Sequence, residues 1–340
     1  MNRRQFLTGC AALGTAAVLP QLRPAAQTGA GGSRMFRIDT HSHFTTPALY
    51  KLSTARGVNQ AALADWTPAK MLQQMEEGGV ATSVISISDP GVHFGDNAAA
   101  RALARDCNEY AATVVRDHPG RFGFFAVLPL PDVEGALREA VYALDTLKAD
   151  GIGVLSSYQG KYLGNPHYST LLEELNRRKA VIYCHPYCAA CGAQTELTDA
   201  QNRGVEFVFD TTRTILSILQ TGTSARFSDI RFIWSHGGGT VPFITSRLAN
   251  VNQKLPKGAL AELQRFYYDT AQAFNSFTLA GFTKMIPNPH ILFGSDYLGN
   301  AGSAGNVVRG IESFDGFTPQ QLRAVERDNA LVLFPRLKAG

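Results

Sequence analysis

The stretch Ile38–Phe44, IDTHSHF, places two histidines at the end of a short β-rich run. Side chains two apart on a strand point the same way, so His41 and His43 can reach one ion. The same stretch decides between two parallel-sheet architectures. An open, doubly wound sheet calls for a glycine-rich phosphate loop after its first strand. This chain has histidines there instead. A closed barrel gathers its functional side chains just past the C-terminal ends of its strands, on one shared face.

Outward from that stretch the pattern repeats. FRID, TSVISIS, RFGFFAVL, GIGVLSS, AVIYC, IRFIWS, RFYYD and HILFGS are eight runs separated by amphipathic helical segments. They lack strict polar alternation, which predicts strands buried on both faces, as in a parallel sheet. Eight strand–helix units from Met35 to Gly340 predict a (β/α)8 TIM barrel, a fold that ordinarily takes about 200 to over 400 residues. Helix ends are marked too. Thr67-Pro68 and Thr318-Pro319 put a capping hydroxyl before a proline, Gln321 completes a capping box, and Gly78-Gly79 supplies a stop.

Of the 340 residues, 45% are hydrophobic and 18% charged, which describes a globular chain with ample core. The net charge of +4 includes Arg3, Arg4, Arg23 and Arg34, and no basic stripe argues for nucleic acid. The first thirty residues read differently: NRRQFLTG precedes the weakly apolar CAALGTAAVL, a pattern resembling a twin-arginine export signal. Residues 1–30 are therefore expected to be a signal and residues 35–340 the barrel domain, with a periplasmic or secreted destination. TGA ending at Ala30 is the best processing match; lipidation at Cys10 in LTGC ranks lower. The apolar run falls short of the about 20 residues needed to cross a bilayer, so no integral span is expected.

The chemistry follows the strand ends. His41 and His43 close the first run, His185 the fifth, His236 the sixth and Asp296 the eighth. A single buried histidine is more often a core residue than a ligand, but five such groups at the ends of four runs point to a site. Imidazoles plus a carboxylate suit zinc or another borderline divalent metal with an open position for water. His93 follows the second run on the same face and is a candidate substrate contact; His118, His167 and His290 are assigned no chemistry. Cys188 and Cys191 have thiol-redox spacing without the small helix-opening unit such motifs use. A zinc knuckle lacks a second ligand pair. These cysteines are read as ancillary, with a disulfide among Cys184, Cys188 and Cys191 available after export. The glycines after His236 fit either close approach of amides to an anion or a tight strand-to-helix turn.

These motifs resemble the amidohydrolase superfamily, in the branch of 2-amino-3-carboxymuconate-6-semialdehyde decarboxylase. IDTHSHF, CHP, SHGGGTVPFITSR, LFGSDY and DNALVLF carry the resemblance over nearly the whole chain after the signal. PGVHFGD, HPGRFGFFAVLPLPD, LGNPHY, ELNRR and FDTTR are similar to 6-methylsalicylate decarboxylase-like members. The resemblance implies one divalent metal, zinc first with manganese or cobalt as alternatives, held by His41, His43, His185 and Asp296. It implies an acid/base role for His236; Asp296 is expected to share it, because a carboxylate on a metal can still accept a proton if its bond to the ion loosens. Arg247 matches an arginine that reaches a substrate carboxylate in the neighbouring subunit's site, which implies a homodimer. In one departure, QAALAD before Trp66 lacks the family's arginines, which points to a substrate with a single acid group. Arg56 and Arg213 are alternative carboxylate partners. The expected reaction is non-oxidative decarboxylation of a hydroxylated aromatic carboxylate such as 6-methylsalicylate. Hydrolysis of an amide, lactone or ester is the alternative on the same fold, and an exported metal-binding or thiol protein using CHPYCAAC is the non-enzymatic one.

Overall fold

A computed structural model describes residues 35–57, 63–64, 66–187, 196–253, 255–298 and 303–339. In chain order the strands are β1 (Arg37–His43), β2 (Val80–Ser86), β3 (Phe122–Val127), β4 (Gly151–Leu155), β5 (Ser157–Tyr158), β6 (Lys161–Tyr162), β7 (Val181–His185), β8 (Arg231–Trp234), β9 (Tyr267–Asp269) and β10 (Ile291–Leu292). Eight of them form one sheet in the order β1-β2-β3-β4-β7-β8-β9-β10, every pair parallel, while β5 and β6 make a small antiparallel hairpin. All eight runs read from the sequence contribute a barrel strand. Backbone bonds bring the ends together: Thr40 N–H donates to Phe293 O at 2.9 Å, Asp296 N–H to His41 O at 2.8 Å and His43 N–H to Tyr297 O at 2.7 Å. The sheet is therefore a (β/α)8 barrel of the predicted kind.

Helices form where the capping chemistry places them. Thr67 Oγ1 accepts from Lys70 N–H at 3.2 Å, and Thr318 with Gln321 completes a capping box at Pro319–Arg323. Gly78 is needed for contact as well as for the helix end, because a Cβ there would lie 2.7 Å from Ala304 Cβ.

Inside the barrel, Ile38, Val84, Phe125, Val181, Tyr183, Ile233 and Leu292 form a packed apolar layer with Ala330, Leu333, Phe334 and Leu337 from the C-terminal helices. Phe125 stacks on Tyr183 with ring centroids 4.9 Å apart and meets Phe334 at 5.8 Å. The interior is thus a filled core. The start of β1 is tied to the C-terminal segment by buried Arg37, whose guanidinium donates to Glu326 and Glu312 at 2.6 Å each. Removing one partner of such a buried pair strands the other charge.

Two details of the strands set up the site. In β7, period-two alternation turns Val181, Tyr183 and His185 inward and sends Ile182 and Cys184 to the core between sheet and helices. In β1 the pairing with β2 shifts between Asp39 and Ser42. This irregularity exchanges the faces, so that both Ile38 and the His41/His43 pair face the barrel interior.

The alternation in β7 narrows the disulfide reading. Cys184 is a free, buried thiol on the face opposite His185, so it is not part of a disulfide over the site. Cys188 and Cys191 lie outside the described residues, as do the expected signal at 1–30, its processing site at Ala30 and Cys10. Among the described residues, no helix is long and apolar enough to cross a membrane.

Candidate metal centre

His41, His185, His236 and Asp296 each offer a donor atom, and these atoms all lie within 4.8 Å of one another at the C-terminal mouth of the barrel. His43 joins them: its Nε2 is 3.2 Å from His41 Nε2 and 3.2 Å from Asp296 Oδ1. All five side chains are buried. His236 and Asp296 reach the cluster through left-handed backbone, with φ of 53° and 55°, a conformation non-glycine residues adopt rarely and often at functional positions.

Hydrogen bonds set which ring nitrogen faces inward. His41 Nδ1–H donates to Asp269 Oδ2 at 2.8 Å, and His185 Nδ1–H to Pro186 O at 2.9 Å. Ser86 Oγ donates to Ser42 O at 3.1 Å, so it accepts from His43 Nδ1–H at 3.3 Å. Three Nε2 lone pairs are left pointing at a common space. Lone pairs of His41 and His43 only 3.2 Å apart repel each other unless positive charge lies between them. The donor set therefore fits one divalent metal ion.

The electrostatics agree. Burial alone would lower the pKa of His41, but the carboxylates of Asp269 and Asp296 overrule it and hold the group up at about 10. The same field attracts any cation placed there. Burial pushes His43 down, and burial together with the neighbouring imidazoles pushes His185 well below its ordinary value, which keeps both in the neutral, ligating form. Burial would raise Asp296, yet the positive field of His41 and its contacts with His236, His41 and His43 hold it well below the usual carboxylate range. His236 differs from the other imidazoles: its Nε2 is 3.5 Å from Asp296 Oδ2, while its buried Nδ1 has no hydrogen-bond partner.

Several contributors were not singled out from sequence. Asp269, which ends β9, takes the His41 proton on one oxygen and the N–H groups of His236 (2.9 Å) and Ala271 (3.0 Å) on the other. Gln272 Nε2 donates to Asp296 Oδ2 at 2.8 Å. Asp39 accepts from the N–H groups of His41 and Ser295, at 3.0 Å each, and joins β1 to the chain after β10. The available signal was position: RFYYD was the one run past the fifth whose polar end carried no assignment.

Other expected residues make their recorded contacts outside this cluster. His93 bonds Asn97 Oδ1 at 2.9 Å and accepts from Gly95 N–H at 3.4 Å in the loop after β2. Arg247 is exposed on the Val241–Leu248 helix and makes no ion pair among the described residues. Arg213 is engaged with Glu206 at 3.1 Å, and Arg56 is exposed at a helix end. His118, His167 and His290 make local contacts with Phe122, Pro131 and Phe266. The glycines after His236 are required by the turn itself, since a Cβ on Gly238 would lie 2.6 Å from the Tyr268 ring and one on Gly239 2.2 Å from Val208 O.

A closed parallel barrel with an imidazole–carboxylate cluster at its C-terminal mouth defines a class, and the family comparison agrees: the chain belongs to the amidohydrolase family, whose profile matches residues 38–336. It is similar to a decarboxylase of Aspergillus niger, at 35% identity covering 89% of each chain. It is also similar to the 6-methylsalicylic acid decarboxylase of Aspergillus aculeatus, at 34% identity over 89% of this chain and 97% of that one. Among solved structures, the dihydroxybenzoic acid decarboxylase of Polaromonas, with bound manganese and 2-nitroresorcinol, shares the fold at a TM-score of 0.74 and 22% identity, covering 88% of this chain and 97% of that one.

Proposed function

We propose that this chain is a metal-dependent decarboxylase of a hydroxylated aromatic carboxylate, with 6-methylsalicylate as the first substrate to test. The observation that carries the reading is the convergence of donor atoms of His41, His185, His236 and Asp296 within 4.8 Å of one another, with His43 Nε2 3.2 Å from both His41 Nε2 and Asp296 Oδ1. Kinship with 6-methylsalicylic acid decarboxylases selects the reaction.

His41, His43, His185 and Asp296 would hold the metal, leaving His236 to move a proton. A divalent cation bound there supplies Lewis acidity, which favours binding of the carboxylate and its neighbouring hydroxyl and lowers the cost of negative charge near the ring. Gln272 keeps Asp296 oriented. The Nε2 proton of His236 passes to the ring carbon that bears the carboxylate. The bond from that carbon to the carboxylate then breaks, its electron pair restores the aromatic ring and carbon dioxide departs. His236 regains a proton from solvent, and Asp296 can share the transfer through the 3.5 Å contact.

Zinc is our proposed metal, with manganese, which the Polaromonas structure holds, and cobalt accepting the same donors. Residues 1–30 are proposed to direct twin-arginine export, a route that carries folded, metal-loaded protein, to the periplasm or beyond. A homodimer is proposed in which Arg247 reaches the partner's substrate carboxylate.

Purified protein incubated with 6-methylsalicylate is expected to release carbon dioxide and 3-methylphenol in equal amounts. Hydrolysis of esters, lactones or amides with no turnover of any hydroxybenzoate would overturn the reading in favour of hydrolysis. Replacing Cys188 and Cys191 by serine is expected to leave metal content and turnover unchanged; loss of both would favour the thiol-protein alternative.

A further inference from the structure

The exits of β4 and β7 are tied together by a buried polar network outside the cluster above. At its centre is Asp210, on the Asp199–Gln220 helix, with its side chain fully buried. Its carboxylate accepts hydrogen bonds from Ser156 Oγ, from Ser157 Oγ at 3.2 Å and from Tyr162 OH at 2.8 Å, and Arg213 Nη1 stands 3.7 Å away.

Ser156 links this network to the site. Its backbone N–H donates to His185 O at 2.8 Å, and its Oγ accepts from Tyr187 N–H at 2.8 Å. A carboxylate only accepts, so Asp210 obliges the Ser156 hydroxyl to donate toward it and turns the oxygen's lone pairs toward Tyr187 N–H. Pro186 is thereby held between two fixed neighbours. Its carbonyl takes the His185 Nδ1 proton at 2.9 Å, which turns the Nε2 lone pair of His185 into the cluster.

We propose that Ser156, aligned by Asp210, is a positioning residue for His185: it fixes the Pro186–Tyr187 turn whose carbonyl sets the tautomer and ring direction of that ligand. The inference rests on the metal site in the proposed function. The network supplies its own controls, because Ser157 and Tyr162 bond the same carboxylate through their side chains, yet neither hydroxyl bonds Tyr187 N–H.

The test is Mn²⁺ titration of the full chain and its variants, read from the loss of the free-ion electron paramagnetic resonance signal, with thermal melts of the metal-free proteins alongside. Ser156→Ala is expected to weaken Mn²⁺ binding about tenfold, the lower end for loss of a group supporting a ligand. Ser157→Ala and Tyr162→Phe are expected to stay within about twofold of wild type even where they lower the melting temperature as much. Asp210→Asn carries the same test if Ser156→Ala does not fold. Its single carbonyl oxygen cannot accept from Ser156, Ser157 and Tyr162 as the two carboxylate oxygens do, so the Ser156 hydroxyl loses its fixed direction and affinity should again fall. Unchanged affinity in the variant that folds, or equal losses in Ser156→Ala and Ser157→Ala, would overturn the inference. Wild-type protein that binds neither Mn²⁺ nor, in chelator competition, Zn²⁺ would overturn the proposed function and this inference with it.

Discussion

Asp269 shows why some of the site was not readable in advance. Ligating histidines announce themselves by type and position, so His41, His43, His185 and His236 stood out at run ends. A carboxylate that acts by orienting another side chain is recognised only by what it touches, and here one Asp269 oxygen holds the His41 proton while the other anchors His236 N–H. Asp269→Asn is expected to weaken metal binding by about 10- to 100-fold, measured by titration with metal-buffered chelators. Unchanged affinity would mean that the His41 tautomer is set elsewhere. His236→Gln is expected to keep its metal and lose turnover by about 100-fold or more, the usual scale for removing a proton-transfer group. Loss of the metal instead would place His236 among the ligands, a role its Nε2 is close enough to take.

The strands themselves were legible because hydrophobic runs and turn punctuation are local, and each of the eight barrel strands overlaps one of the runs read from sequence. Facing was less so. Period two predicts correctly that Tyr183 and His185 share a side, and the same rule puts Cys184 on the other. The irregularity after Asp39 follows from pairing with β2, a contact no local pattern records. Cys184→Ala is expected to leave metal content unchanged, measured by elemental analysis. Phe125, stacked on Tyr183 and 1% exposed, carries the layer beneath the imidazoles. Phe125→Ala is expected to cost about 3–5 kcal/mol in denaturant unfolding, the range for emptying a buried aromatic position. A loss below about 1 kcal/mol would mean that the interior layer collapses to fill the space.

The barrel brings residues more than 250 positions apart onto one end, as with His41 and Asp296, whose Nε2 and Oδ1 lie 3.3 Å apart. Association between copies is a separate matter. Arg247 sits exposed beside Phe243, itself 69% exposed, on one helix. If that face meets a second copy, sedimentation should give a dimer, and Arg247→Ala should raise KM about tenfold, equivalent to about 1.4 kcal/mol, with a smaller change in kcat. A monomer with unaltered KM would remove Arg247 from substrate recognition.

Metal dependence of turnover bears most directly on the whole account. Protein stripped by exhaustive chelation, verified by elemental analysis, should lose 6-methylsalicylate decarboxylation and recover it on adding back Zn²⁺ or Mn²⁺ at one equivalent per chain. Full turnover by verified metal-free protein would contradict the account.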